Sequence, residues 1–133
     1  MTAAQEERWI LSHLESPDAL VICCEVDGVL IGTCNLNFNS KKKMAHRARI
    51  GITIRKAYWN LGIGSAMFRE MIAAAEARDC AILELEFIEG NDRGRALYEK
   101  FGFTIVACRP NAFRLKDGRM LNEYLMQKEL KKK

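Results

Sequence analysis

The succession of hydrophobic patterns along the chain predicts a mixed α/β (α+β) domain with a mostly antiparallel sheet that contains one parallel pair of strands. Two observations lead to this fold class. Segments with the alternating pattern of strands follow one another through short turns, which favours antiparallel pairing. Between the third and fourth strands the periodicity changes to that of an amphipathic helix, and a strand–helix–strand crossover makes those two strands parallel neighbours.

The first half of the chain predicts a helix and three strands. Residues 3–14 are assigned to a helix, because Ile10 and Leu14 are spaced four apart among charged residues. Residues 19–38 predict a β-hairpin, because two segments rich in β-branched residues flank Asp27-Gly28, a strong two-residue turn sequence. Residues 47–55 alternate between polar and apolar side chains and predict the third strand.

The second half predicts two further helices and three further strands. Apolar residues four apart, Ile63, Met67 and Met71, predict an amphipathic helix over residues 64–78. Residues 81–88 alternate and predict the fourth strand. A short helix capped by Asn91 or Asp92 follows and ends at Gly102. Residues 103–108 and 121–127 predict the last two strands.

Length and composition predict a single globular domain over residues 1–133. The chain has 49% hydrophobic and 29% charged residues, and no apolar run approaches the roughly 20 residues of a membrane-spanning helix. A net charge of +4 suits an anionic ligand but falls short of the excess typical of nucleic-acid-binding proteins. Five cysteines without a Cys-x-x-Cys pair, together with only two histidines, predict free thiols, no metal site and a cytoplasmic location.

The junction between the third strand and the long helix has the character of an anion site. It contains Gly62 and Gly64 immediately before the helix, where backbone N–H groups lack intrahelical acceptors and the helix dipole is positive. The Gly-x-Gly pattern alone fits a tight turn without a ligand equally well. Three consecutive lysines, Lys41 to Lys43, are expected at the opposite end of the third strand, and we interpret them as a solvated loop.

A second segment decides between these readings. It runs from Asn91 to Phe103 as Asn-x-x-Gly-x-Ala-Leu-Tyr-Glu-Lys-Phe-Gly-Phe, and it follows Tyr-Trp-Asn-Leu-Gly-Ile-Gly-Ser-Ala at residues 58–66. Together they resemble the acetyl-CoA motif and the following motif of the GCN5-related N-acetyltransferases (GNAT). The spacing and the intervening helix agree, and the resemblance extends over residues 21–130.

The resemblance implies the acyl-CoA N-acyltransferase fold with a splayed parallel strand pair, and acetyl-CoA as the co-substrate. The third strand would pair with the pantetheine arm, the amides at the glycine turn would hold the pyrophosphate, and an asparagine would bind the cofactor arm. The cofactor-binding residues implied are Ile52, Thr53, Ile54, Asn60, Leu61, Gly62, Ile63, Gly64, Ser65 and Asn91. Family members often carry Arg or Gln, then Gly, just before the first of the paired glycines, where this chain has Trp59, Asn60 and Leu61, so one possible cationic partner for phosphate is expected to be lost.

The same resemblance implies transfer of the acetyl group to an amine by direct attack through a tetrahedral intermediate. Tyr98 is implied near the thioester sulfur, where its hydroxyl can donate a hydrogen bond or a proton to the leaving thiolate. Many relatives carry an acidic residue where this chain has Arg49, so the general base must lie elsewhere. Glu86 is our candidate base and Glu84 the other, while both also fit ordinary cross-strand charges.

The start of the chain predicts a gap in the family pattern. Members usually begin with a strand and a helix that this chain lacks in our assignment, which would leave residues 20–23 as a bare apolar edge strand. We expect a second subunit, as in a homodimer, or an upstream part of the polypeptide to cover that edge. The alternatives to an amine acetyltransferase are a catalytically weak CoA-binding or regulatory module and, from the lysine runs alone, a basic RNA-binding protein.

Overall fold

Seven strands in the order β1-β2-β3-β4-β5-β7-β6 form one sheet in the computed structural model, which describes residues 9–130. The strands are β1 (Trp9–Glu15), β2 (Ala19–Val26), β3 (Val29–Phe38), β4 (Arg47–Ile54), β5 (Ile82–Ile88), β6 (Thr104–Arg114) and β7 (Met120–Glu129). The helices are α1 (Ile63–Ala77) and α2 (Asp92–Lys100), with 3-10 turns at Lys42–Met44 and Lys56–Tyr58. Only β4 and β5 pair in parallel among the described strands, so the predicted fold class is confirmed.

The β2–β3 hairpin has the predicted turn. Asp27 and Gly28 both have positive φ, at 51° and 80°, as a two-residue turn compatible with the strand twist requires. On β2 the side chains of Leu20, Ile22 and Cys24 alternate into the core. The pairing shifts by one residue between Cys24 and Glu25, so an irregularity separates the register next to the turn from that of the buried part of the hairpin.

The helix predicted over residues 3–14 is wrong in its described part, since Trp9–Glu15 form the strand β1; residues 3–8 lie outside the described residues. Ile10 and Leu14, four apart, share one face of a strand as well as of a helix, and they are 67% and 68% exposed. A helix this short is marginal alone, whereas β1 gains a full ladder with β2. We also expected the chain to lack an opening strand and residues 20–23 to form a bare edge. Neither is observed, because β1 precedes β2 and pairs with it.

The core lies between the sheet and the two helices. Helix α1 buries the predicted stripe, Ile63, Met67 and Met71, together with Phe68. The Phe68 ring stacks on Phe101, just after α2, at a centroid distance of 5.3 Å. This packing holds the two helices together on one side of the sheet. Neither helix of the described chain is long and apolar enough to cross a membrane.

The parallel pair of strands separates after a short contact. Pairing between β4 and β5 runs from Arg47↔Ile82 to Arg49↔Glu84, although β4 continues to Ile54 and β5 to Ile88. On its other edge β5 pairs with β7 along its whole length, from Ile82 to Ile88. The sheet therefore opens between β4 and β5, as the resemblance implied for a splayed pair.

Strand β6 is longer than the predicted strand over residues 103–108. It continues to Arg114 and includes Pro110, although proline cannot donate a hydrogen bond to a ladder. Strand β6 can contain this proline because it is an edge strand of the described sheet, where one side of the backbone needs no partner. Its register with β7 shifts near this proline, between Arg109 and Phe113.

Candidate active site

A groove of about 810 Å³ lies where β4, the start of α1 and the start of α2 meet; we call it the splay groove. Its lining comprises Ile52, Thr53, Ile54, Tyr58, Trp59, Asn60, Gly62, Ile63, Gly64, Ser65, Asn91, Arg93, Gly94, Ala96, Leu97, Tyr98 and Lys100. Of the implied cofactor-binding residues, Leu61 alone is outside this lining, and it is half-buried against the core. The fold therefore brings most of the predicted site together.

The N-terminus of α1 opens into the splay groove. Gly62 is the N-cap residue, with φ of 84°, and no side chain accepts a hydrogen bond from the first turn at this cap. A Cβ at Gly62 would meet no other atom within 4 Å, so the approach to these amides is open. Lys100 adds positive charge, since its Nζ donates to Ser65 Oγ at 3.2 Å. Free N–H groups, a helix dipole and an ammonium group form a favourable environment for an anion.

The outer backbone edge of β4 forms one wall of the groove. On one side Ile52, Thr53 and Ile54 pair with β3, and on the other side the described chain places no strand beside them. One carbonyl is already used, because Trp59 Nε1 donates to Ile54 O at 2.8 Å. The remaining N–H and C=O groups can pair with an extended, amide-containing ligand as they would with another strand.

Arg93 is a groove residue that our sequence interpretation missed. Its guanidinium carbon lies 4.6 Å from the centre of the Trp59 ring, and Nη1 donates to Asn60 Oδ1 at 2.5 Å. Asn60 has φ of 63°. We expected the site to lack a cation at Trp59, but helix α2 places the guanidinium group of Arg93 beside that residue. The sequence contained a signal for this role of Arg93, which lies two residues after the motif residue Asn91. A side chain in the first turn of α2 can face the glycine turn, as Arg93 does.

Tyr98 combines a buried ring with a hydroxyl at the groove. The ring lies 5.7 Å from Phe68 and 6.1 Å from Phe87, and the residue is only 7% exposed. Burial raises the pKa of the phenol, and a hydrogen bond with the Asn91 side chain lowers it by less. Tyr98 therefore stays protonated at neutral pH and is available as a donor. Asn91 also caps α2, where Oδ1 accepts from Gly94 N at 3.0 Å.

The two candidate bases lie on β5, outside the groove lining. Glu84 is buried, and its two oxygens accept from Arg47 and Gln127, each at 2.8 Å. Glu86 is half-buried and forms an ion pair with Arg49 at 2.7 Å. Because both oxygens of Glu84 are engaged, Glu86 is the more available carboxylate.

Two other sequence features lie away from the groove. Lys42 and Lys43 are in the 3-10 turn before β4, whereas the groove is lined by the last residues of that strand. The five cysteines are free thiols, of which Cys108 is exposed. Across residues 9–130 no group of three or more His, Cys, Asp or Glu side chains is arranged to hold a metal ion.

Comparison with known proteins identifies this arrangement. The family model of the Acetyltransferase (GNAT) family matches residues 2–103, more than half of the chain. The chain belongs to the GNAT family. The matched region contains both motifs, the glycine turn before α1 and helix α2 with Tyr98.

Individual GNAT proteins are similar over most of this chain. The L-amino acid N-acetyltransferase AaaT of Escherichia coli strain K12 is 28% identical over 108 residues, which are 80% of this chain and 65% of AaaT. The GNAT acetyltransferase structure from Streptococcus pneumoniae superposes with a TM-score of 0.80 at 28% identity, covering 87% of this chain and 70% of that one.

A third relative, yncA from Salmonella typhimurium, was solved with its cofactor acetyl-CoA. It has a TM-score of 0.75 at 22% identity, covering 85% of this chain and 65% of that chain, and shows likeness of fold. The chain thus spans about two thirds of the length of these three proteins.

Proposed function

We propose that this GNAT protein is an acetyl-CoA-dependent N-acetyltransferase that acts on a primary amine of a small molecule or protein. The observation that carries the proposal is the meeting of two unused backbone surfaces in one groove. The open N-terminus of α1 suits a diphosphate, and the free edge of β4 suits an amide-rich arm. Coenzyme A presents these two chemical groups in succession.

The lining residues assign a role to each part of the groove. Amides of Gly62 to Ser65 bind the pyrophosphate, with Asn60 and Arg93 beside them. Ile52, Thr53 and Ile54 pair with pantetheine. Asn91 orients the arm near its reactive end, and the Tyr98 hydroxyl faces the thioester sulfur.

Proton transfer sets the remaining requirements. An alkyl ammonium with a pKa of ~10.4 leaves fewer than roughly one amine in a thousand free at pH 7, so a base must take a proton. After C–N bond formation the C–S bond breaks and a thiolate leaves. A phenol of pKa ~10 gives up its proton to a thiolate of pKa ~8.5 only uphill, and burial of Tyr98 increases that difference. Tyr98 therefore stabilises the thiolate as a hydrogen-bond donor, and Glu86 is the candidate base.

Ligand-dependent stability tests the first step. At acetyl-CoA concentrations about 100 times the dissociation constant, we expect the free energy of unfolding to rise by about 2.7 kcal/mol. Denaturant unfolding with and without acetyl-CoA measures this rise, and ATP serves as the control because it has phosphates but no pantetheine arm. Equal stabilisation by ATP, or none by acetyl-CoA, contradicts the proposal.

A non-catalytic CoA-binding module is the second candidate, and the Arg49–Glu86 ion pair favours it because the candidate base is already paired. Release of CoA thiol over a panel of primary amines separates the two. Turnover supports the transferase, whereas acetyl-CoA binding without thiol release for any amine supports the module.

Arg93→Ala tests the cation that helix α2 brings to the groove. We expect about a three- to tenfold increase in the Kd for acetyl-CoA, because an exposed arginine–phosphate contact contributes about 1 kcal/mol. The loss should shrink at high salt, where exposed charges are screened. Titration calorimetry measures the Kd. Arg95→Ala, on the same helix but outside the groove, is the matched control, and equal affinities of the two variants would contradict the assignment.

A further inference from the structure

Trp59 connects the end of β4 to helix α2 through two contacts of its indole ring. The ring nitrogen Nε1 donates to Ile54 O at 2.8 Å, and the guanidinium carbon of Arg93 lies 4.6 Å from the ring centre. The residue lines the splay groove and is 39% exposed. Trp59 therefore lies between the strand edge and the arginine, in contact with both.

The contact with Ile54 fixes the indole ring beside the free edge of β4. Arg55 N donates to Ile31 O of β3, whereas His46 O accepts from Ile82 N of β5. Because successive residues of a strand direct their backbone groups to opposite edges, the even-numbered residues of β4, among them Ile54, face away from β3. The indole has a single N–H donor, and this donor is used by a carbonyl of that edge. The hydrogen bond therefore sets the direction in which the ring points.

Arg93 is held at two points and retains most of its hydrogen-bond donors for a ligand. Besides the ring contact, Nη1 donates to Asn60 Oδ1 at 2.5 Å. A guanidinium group has five N–H donors, so this bond uses only a small part of them. Within residues 9–130 no carboxylate forms an ion pair with Arg93, whereas Arg95 on the same helix pairs with Glu99. The positive charge of Arg93 is thus available to an anion in the groove.

Holding the guanidinium group in place before binding lowers the cost of its contact with an anion. An arginine side chain has several rotatable bonds and loses much rotamer freedom when a ligand immobilises it. Here the indole ring and the Asn60 amide oxygen already restrict Arg93. The loop itself supplies no charged side chain at this place, since residues 59–64 are all uncharged. The position of Arg93 therefore decides where the cation lies relative to the glycine turn.

We propose that Trp59 is a positioning residue that holds Arg93 at the glycine turn and thereby selects acyl donors that carry a diphosphate. This inference rests on the proposed transferase function, in which Arg93 lies beside the pyrophosphate of acetyl-CoA. Trp59 acts through Arg93 and not on the thioester, because its N–H is bonded to β4 and its ring contacts the guanidinium group.

A double-mutant cycle measures the coupling of the two residues. Trp59→Leu removes the ring, and we expect the Kd for acetyl-CoA to rise about two- to fivefold, the range for a cation–π contact at an exposed site. In the Arg93→Ala background the same substitution should change the Kd by less than about 1.5-fold, because no guanidinium group is left to position. Titration calorimetry at low and high salt gives the four Kd values. The salt dependence of the Kd should decrease in Trp59→Leu as it does in Arg93→Ala, whereas a purely structural role would leave it unchanged.

An acyl donor without phosphates gives a second measurement. Acetyl-pantetheine has the thioester and the amide arm of acetyl-CoA but no diphosphate. The preference for acetyl-CoA, taken as the ratio of the two kcat/KM values for thiol release, should decrease about two- to fivefold in Trp59→Leu. A loss of folded protein would lower both kcat/KM values alike and keep their ratio.

Tyr58→Leu is the matched control. Tyr58 is the aromatic neighbour of Trp59 and also lines the groove, but in the described chain no cation–π contact joins it to Arg93. The full effect of Arg93→Ala on the Kd should therefore persist in the Tyr58→Leu background. Additive effects of Trp59→Leu and Arg93→Ala, or an unchanged ratio for the two donors, overturn the role of Trp59 while the transferase proposal stands. Absence of acetyl-CoA binding by the wild-type protein overturns both together.

Discussion

Gly62→Val is expected to weaken acetyl-CoA binding by at least about a hundredfold. Gly62 adopts φ of 84°, which a β-branched residue avoids, so valine would shift the backbone at the start of α1 and turn its amides away from the groove. Its side chain would also stand in the open approach to these amides. Loss of two charge-assisted hydrogen bonds to a phosphate costs about 3 kcal/mol or more, which corresponds to this loss of affinity.

A second glycine separates lost binding from lost stability. Gly118, in the β6–β7 turn, has φ of 90° and equally open space at its Cβ, but it is not part of the groove. Gly118→Val should therefore have a similar cost in unfolding free energy and leave the Kd for acetyl-CoA unchanged. If Gly62→Val bound acetyl-CoA as tightly as Gly118→Val in calorimetry, the diphosphate would not be held at the glycine turn.

The sequence predicted those elements whose local pattern and tertiary environment agree. Asp27-Gly28 specifies its own turn, and the four-residue spacing of Ile63, Met67 and Met71 is buried as a helix stripe. Residues 9–15 failed because an even spacing of apolar residues is shared by both periodicities, and only pairing with β2 resolves the ambiguity. The extension of β6 beyond residue 108 was missed because edge position, which allows Pro110 in a strand, is a property of the whole sheet.

The candidate site divides along the same line. The groove residues are close in sequence to the two motifs, so the backbone-based part of the site, from Ile52 to Ser65, was predictable. The hydrogen bond between Glu84 on β5 and Gln127 on β7 was not, because the two strands become neighbours only through the insertion of β7 between β5 and β6. Residues distant in sequence carry no shared periodicity, so side-chain chemistry that spans several strands depends on strand order.

Tyr98→Phe is expected to lower kcat by about a hundredfold to a thousandfold, the range for removal of one donor that stabilises a developing anion. The substitution deletes only the hydroxyl, because the phenylalanine ring can keep its contacts with Phe68 and Phe87. The Kd for acetyl-CoA should stay nearly constant, since the hydroxyl acts on the charge that appears when the C–S bond breaks. Because burial raises the Tyr98 pKa, wild-type activity should show no loss from phenol ionisation below about pH 10.

The matched control removes a hydroxyl one ring away. Tyr124 stacks on the other side of the cluster, 5.2 Å from Phe87, and does not line the splay groove. Tyr124→Phe should therefore keep kcat within about twofold of the wild type, because it removes no donor from the leaving thiolate. Steady-state thiol release at saturating acetyl-CoA measures both variants. Full turnover by Tyr98→Phe would show that the thiolate leaves without this tyrosine, and its proton would then have to come from water or from the amine itself.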